Sequence, residues 1–278
     1  MKIGAIIQAR TTSTRLPKKV LKELPYGSGI TVLEQVIRRV KRSKLLDEVI
    51  IATTINSEDD PIVEISKREG IKCFRGSEKN VLERYYLCAK ENKVDVVVRI
   101  TSDCPCIDWE VIDKVVDRLL EKGLDYVGVE RSYPHGCGDV EAFTFKTLEI
   151  TYKEANNDFE KEHVCPYIYF TNKDKFKINF LKAPSYLTAP DIRVTLDTEE
   201  DYALLCAVFD YLYSRNNYFQ AVDIINLFKE KSWLKLINRK VLQKKIFHSL
   251  EEELEEARKL LELQELNKAK EAIEKWMV

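Results

Sequence analysis

Arg10, Arg15, Lys18 and Lys19 crowd the segment QARTTSTRLPKKV, which also carries the hydroxyl residues Thr11, Thr12, Ser13 and Thr14 and a proline near its exit. Cations, hydroxyls and successive backbone N–H groups are what a triphosphate needs, because its oxygens must be both hydrogen-bonded and neutralised. On charge alone a solvated basic loop fits equally well. Neither a GxxxxGKS/T loop nor a GxGxxG turn occurs, so this is not a Walker or dinucleotide site. A second feature is VVVRITSDCPCID, an apolar run ending in Arg99 with Asp103 just beyond it. A third is RVTLDTEED, where Asp197 ends another β-type run. One carboxylate after a strand is ambiguous, since Asp197 or Thr198 could cap a helix starting at Glu199, as Asp108 could cap one near Trp109. Two carboxylates at two strand ends could together hold Mg²⁺ on a phosphate chain, the recurring device of phosphoryl and nucleotidyl transfer.

Those residues need elements to position them. Apolar runs at Ile3–Ile7, Glu48–Thr53, Lys72–Phe74, Asp95–Ile100 and Asp125–Val129 alternate with helical spacing at Val32–Val40, Pro61–Arg68, Val81–Lys90 and Val111–Leu120. That rhythm predicts an α/β fold, Rossmann-like, with a mostly parallel sheet and helices on both faces. Ligands in such sheets bind beyond the carboxyl ends of the strands, where Arg10–Lys19 and Asp103 fall. From Val140 the rhythm loosens into strand-like VEAFTF, a helix near Lys146–Asn156, aromatic-rich HVCPYIYF, strand-like FKINFL and IRVTLDT, and a helix from Glu199 to about Tyr213. These complete one domain over residues 1–240. Residues 241–278 form a second, helical extension, with Leu250, Leu254, Ala257 and Leu261 on one apolar line and Leu263, Leu266, Ala269, Ile273 and Trp276 on another. The expectation is one amphipathic helix from His248 to Val278 that pairs in a homodimer or, alternatively, folds back on its own catalytic domain.

Lys and Arg number 45 against 46 Asp and Glu, a formal charge of −1, so no global field would hold a nucleic acid. The seven cysteines include no CxxC pair and suit a reducing compartment. Cys104 and Cys106 read as buried small residues rather than a thiol site. No membrane span or signal-peptide core is seen, and a soluble cytoplasmic protein is expected.

The motifs IIQAR-x3-TRLP-x-KVL, IIATT, FRGSE-x2-VLERY, VRIT-x-DCP-x-ID, YPHG with VEAF, EHV-x-PYI and RVTLDT-x-ED run in order from about Lys2 to Asp201. Together they resemble the spore-coat polysaccharide cytidylyltransferase family, related to the acylneuraminate and 3-deoxy-manno-octulosonate cytidylyltransferases. The resemblance implies a nucleotide-diphospho-sugar transferase fold, Mg²⁺, and CTP as donor of CMP to an acceptor with pyrophosphate release. It implies that Gln8, Ala9, Arg10, Thr14, Arg15 and Lys19 bind the nucleotide, with Arg75 and Ser77 in the cytosine-reading segment. Asp103 and Asp197 fall on metal carboxylates and, with Arg15 and Lys19, form the catalytic set. Arg99 falls where relatives place a substrate-contacting side chain, and Arg131, His135, Glu141, Glu162 and His163 are expected with it around an anionic acceptor, a sugar acid or a phosphorylated or phosphonate metabolite, although His135 also reads as a turn residue and His163 as a buried hydrogen-bonded one. Three positions depart from the pattern: Thr12 and Lys18 replace usual glycines, and Asn80 replaces a common aspartate. A β-branched residue resists positive φ, so Thr12 is the greater departure if the backbone must turn there. The HGCGDVE stretch also runs one residue long, which bears on Asp139. A glycosyltransferase of the same fold is an alternative that the absence of a DxD at Ser102–Cys104 disfavours. A nucleotide-sensing protein with a degenerate site is another.

Overall fold

The computed structural model describes residues 1–241 and 250–276. It divides into two compact units, Met1–Lys240 and Val241–Val278. In the first unit the strands are β1 (Ile3–Gln8), β2 (Glu48–Thr54), β3 (Lys72–Gly76), β4 (Val96–Thr101), β5 (Tyr126–Val129), β6 (Glu141–Thr144) and β7 (Ile178–Leu181). Its helices are α1 (Val32–Val40), α2 (Asp60–Arg68), α3 (Val81–Glu91), α4 (Trp109–Glu121), α5 (Phe145–Glu154), α6 (Asp158–His163), α7 (Glu199–Leu212) and α8 (Ala221–Glu230). The strands join in one sheet of order β3-β2-β1-β4-β6-β5-β7. β6 runs antiparallel to β4 and β5, and the other neighbours pair in parallel.

The central strands read as continuous apolar runs because both faces are covered. Ile3, Ala5, Ile7, Val96, Val98 and Ile100 pack on one side with residues of α1, α4, α7 and α8. Ile6, Ile50, Ala52, Val97 and Phe143 pack on the other with residues of α3 and α5. This α/β fold, with a mostly parallel sheet, flanking helices and a C-terminal helical extension, is the expected one. Side-chain caps fix where the helices begin. Asp108 caps α4, accepting from the Glu110 amide at 3.0 Å and from the Ala221 amide at 3.0 Å, which ties α4 to α8. Thr198 caps α7 in a reciprocal box with Asp201, so the cap falls to Thr198 and leaves Asp197 for other partners.

Two local expectations are corrected, and one segment left without an assigned element takes shape. IRVTLDT is not a strand: its strand-type pairing is a single parallel bridge, His135 to Arg193, and residues 192–196 form a loop that is buried throughout and held by separate bonds, such as the Leu196 amide to the Asp103 carbonyl. Asp197 therefore sits on a loop rather than at a strand end. The HVCPYIYF segment turns at Val164, with φ 71°, into a π-helical turn over Tyr167–Thr171. The extension is two helices, α9 (Leu250–Leu263) and α10 (Asn267–Trp276), because Glu265 adopts φ 56° between them. There Leu254, Ala257 and Leu261 are half-buried, while Leu250, Leu263 and Leu266 are exposed. His248 and Ser249, where that helix was expected to begin, lie outside the described residues. Among the described residues no helix is long and apolar enough to cross a membrane, and all seven cysteines are free.

Candidate active site

The loop after β1 is pinned at both ends. Asp59, fully buried ahead of α2, accepts from the Thr11 amide at 2.7 Å, from the Thr11 hydroxyl at 2.8 Å and from the Thr54 hydroxyl. The Thr11 carbonyl then accepts from the amides of Ser13 (3.0 Å) and Lys18 (2.9 Å), closing the loop on itself. Closure requires a left-handed residue, and Lys18 supplies it at φ 56°, ψ 24°. Of the two residues that replace glycine, it is thus Lys18 and not Thr12 whose backbone occupies the region glycine favours. Thr12 instead donates its hydroxyl to Glu78 at 2.8 Å, and Asn56 donates to the other oxygen of Glu78 at 2.7 Å.

The turn at Lys18 aims Lys19 inward. Its ammonium donates to Asp103 Oδ2 at 2.7 Å, to Asp197 Oδ1 at 2.9 Å and to the Leu196 carbonyl at 2.8 Å. Arg15 approaches Asp197 Oδ1 at 3.0 Å. The Asp103 carbonyl accepts from the Leu196 amide at 2.8 Å, locking the two carboxylate-bearing segments together. Arg15, Lys19, Asp103 and Asp197 thus meet in one cluster at the carboxyl ends of β1 and β4. Behind it, Arg193 reaches Asp197 Oδ2 at 2.7 Å and Asp201 at 3.1 Å, and Asn238 donates to Asp201 at 2.9 Å. Arg193 and Asp201 were not among the candidates. Both are buried charges, and Arg193 lies in the segment that reads as a strand, where an inward side chain carries no distinctive signal.

Burial opposes ionisation throughout the cluster, and opposite charge overrides it. Lys19 loses hydration but faces two carboxylates, which raise its pKa above the ordinary lysine value. Burial pushes Asp103 upward and Asp197 adds to that, yet Lys19 outweighs them and lowers its pKa. Asp197 is likewise desolvated, but Lys19, Arg193 and Arg15 bring it down to about 2. Both carboxylates are therefore anionic near neutrality. Among the described residues no group of three or more acidic, histidine or cysteine side chains surrounds a point. Two carboxylates suit Mg²⁺, which is held by one or two of them together with water and substrate phosphate. Lys19 binds the Oδ2 of Asp103, and its Oδ1 has a 3.7 Å contact from the Cys104 thiol, a weak partner that a cation can displace.

A second cluster lies on the face that carries Ile6 and Val97. Arg99 pairs with Glu141 directly across β4 and β6, and Glu141 also accepts from the Tyr126 hydroxyl at 2.6 Å. With both oxygens engaged, Glu141 orients Arg99 rather than facing a ligand itself. Gln8 Oε1 and Arg99 Nε, on neighbouring strands, are buried without a hydrogen-bond partner, which offers an acceptor and a donor to a bound group. Glu162 and His163 end α6, His163 beside the Phe159 ring, and the nearby Cys165 is buried against Glu141. Arg131 is exposed, with its charge reaching Tyr169. His135 joins the Lys19–Asp197 cluster instead: its Nε2 lies 3.2 Å from Asp139 and its Nδ1 3.2 Å from Arg193.

The segment expected to read cytosine holds one surprise. The Arg75 guanidinium donates to the carbonyls of Thr54 (2.8 Å) and Asn56 (2.6 Å) and to Asp60 (2.6 Å), so it braces the end of β2. Ser77 accepts from the Asn80 amide at 3.0 Å, and Arg84, buried beneath, holds the Ser77 carbonyl at 2.6 Å. Asn80 caps α3 by accepting from Glu83 at 2.9 Å, the task an aspartate would perform there. Arg10 and Thr14 are exposed on the loop, and Ala9 contributes backbone, its amide donating to the Ala52 carbonyl at 3.2 Å.

Residues 4–271 match the family model described as cytidylyltransferase. The chain belongs to the cytidylyltransferase family. It is similar to an uncharacterized protein of Methanocaldococcus jannaschii, 42% identical over 88% of this chain and 97% of that protein. The spore coat polysaccharide biosynthesis protein SpsF of Bacillus subtilis is 35% identical over 73% of this chain and 85% of its own length. Among solved structures, a cytidylyltransferase from Leptospira borgpetersenii is 34% identical, with a TM-score of 0.77 over 89% of this chain and 100% of that one. Membership in the cytidylyltransferases carries nucleotidyl transfer as the reaction class.

Proposed function

We propose that the protein transfers CMP from CTP to an anionic acceptor with release of pyrophosphate, as a Mg²⁺-dependent enzyme of the cytoplasm. The observation that carries this reading is the convergence of Lys19 and Arg15 on Asp103 and Asp197 at the carboxyl edge of the sheet. In the reaction an acceptor oxygen bonds to the α-phosphorus while the bond to the bridging oxygen breaks, and its electron pair leaves on pyrophosphate. The protein supplies position and charge. Arg10, Arg15, Lys19 and the loop amides bind the β and γ phosphates and stabilise the negative charge that grows on the leaving group. Asp103 and Asp197 would hold Mg²⁺, which when bound neutralises phosphate charge.

Arg99, fixed by Glu141 and Tyr126, and Gln8 form the floor on which the acceptor rests, with Arg131, His135, Glu162 and His163 around it. Arginine at that floor favours a carboxylate, phosphate or phosphonate on the acceptor. Similarity to the spore coat polysaccharide biosynthesis protein favours a sugar acid or another precursor of a surface polysaccharide. Cytosine is read by Ser77 and the backbone that Arg75 and Arg84 brace. The active species is a homodimer paired through the C-terminal helices, whose exposed leucines need cover.

The test is pyrophosphate release from CTP, UTP, ATP or GTP against a panel of sugar acids, phosphorylated metabolites and phosphonates. CTP should dominate, and release should depend on one class of acceptor. Turnover of a finished nucleotide sugar with none from CTP would favour the glycosyltransferase reading instead.

A further inference from the structure

The oxygens that would hold a metal are already gathered around a cation of the protein's own. Each N–H of the Lys19 ammonium has a partner, Asp103 Oδ2 at 2.7 Å, Leu196 O at 2.8 Å and Asp197 Oδ1 at 2.9 Å. The side chain is 12% exposed, less than either carboxylate. An ammonium so placed satisfies the same lone pairs that a hard divalent cation needs, and two cations cannot share them at such distances.

The carboxylates are unequal. Asp197 has Arg15 and Arg193 besides Lys19, whereas Lys19 is the ion-pair partner of Asp103 among the described residues. Arg193 is further tied to Asp201 and His135. Besides the two carboxylates the Lys19 ammonium is tied to a neutral carbonyl, that of Leu196, and its flexible stem follows a turn whose backbone is held by Thr11.

We infer that Lys19 is the resident counter-ion of the metal site: it holds Asp103 and Asp197 together, excludes divalent cations from the nucleotide-free protein, and yields its place when a triphosphate draws it away. Metal then enters with the nucleotide and not before it. Order of binding is thus written into one side chain, which passes from the carboxylates to the phosphates. The inference rests on the reading of Asp103 and Asp197 as metal ligands.

The test uses Mn²⁺ titrated into the full-length protein, with free Mn²⁺ read by electron paramagnetic resonance and no turnover required. Wild type should bind Mn²⁺ weakly alone and tightly with CTP. Lys19→Met without nucleotide should bind it at least about tenfold more tightly than wild type, equivalent to ~1.4 kcal/mol. Adding Asp103→Asn to Lys19→Met should remove that gain, and Lys18→Met should leave the affinity at the wild-type value. Circular dichroism checks folding, and Lys19→Gln serves as a second variant of different shape. Unchanged Mn²⁺ affinity in a folded Lys19 variant would overturn the inference, as would wild-type affinity that CTP does not raise. If Asp103→Asn leaves Mn²⁺ binding to the CTP complex intact, the metal-ligand reading itself fails, a different outcome from an inert Lys19.

Discussion

Replacing Lys18 by glycine should stabilise the protein, although it deletes a charge from the loop proposed to bind triphosphate. Lys18 holds φ 56° and ψ 24°, and its side chain is exposed. A residue with a Cβ loses roughly 1–2 kcal/mol in that region, because the Cβ crowds the following carbonyl oxygen. Glycine escapes this loss but gives back part of it, up to about 1 kcal/mol, through its freer unfolded chain. The Lys18 amide bond to the Thr11 carbonyl and the Leu21 amide bond to the Lys18 carbonyl, both 2.9 Å, persist in the variant. A net gain of about 1 kcal/mol is expected, and for a domain of this size it raises Tm by about 2–4 °C. Lys18→Ala keeps the Cβ and should lie within ~0.5 kcal/mol of wild type. Urea melts of the three proteins read the difference. Lys18→Gly less stable than wild type would mean that the backbone there is not left-handed, and that the turn aiming Lys19 inward is wrongly described.

Asp59→Ala should destabilise by about 1–3 kcal/mol, because buried Thr11 and Thr54 donors lose their acceptor, and it should weaken CTP binding by calorimetry although Asp59 touches no substrate; unchanged binding would detach Asp59 from the loop. Acid titration offers a separate check. The pKa of Asp197 is held down to about 2, below its unfolded value of ~3.9, so its contribution to stability is present above about pH 4 and lost as pH falls through the folded value. Asp197→Asn should flatten that part of the stability profile, and an unaltered slope between about pH 4 and 2 would count against the ion pairs. Truncation after Lys240 should convert a dimer to a monomer in light scattering while CTP binding survives; a full-length protein already monomeric would refute the pairing.

The first half of the fold was legible because its strands are buried on both faces and so appear as unbroken apolar runs, as in Val96–Ile100. Arg15, Lys19 and Asp103, which the sequence places beyond such runs, meet with Asp197 in one cluster of ion pairs. What failed were features made by distant partners. IRVTLDT alternates like a strand, yet its neighbours are the His135 backbone and the Asp103 carbonyl, which no local pattern announces. Asp59 is one of several acids near α2, and nothing local sets it apart until Thr11 folds onto it. Arg75 had the right type for reading a base, but Thr54, Asn56 and Asp60 engage its donors. The break at Glu265 left no glycine or proline to mark it.

The central claim is tested most directly by ³¹P nuclear magnetic resonance of CTP incubated with the acceptor found by the screen, comparing wild type with Asp103→Asn. Wild type should consume the three CTP resonances and produce pyrophosphate together with an equal amount of a new signal for CMP joined to the acceptor. Asp103→Asn, folded by circular dichroism, should lower that rate by orders of magnitude, on the order of the 10²–10³ seen when a charge-stabilising group is removed. Near-normal turnover in Asp103→Asn, or orthophosphate in place of pyrophosphate, would contradict the account.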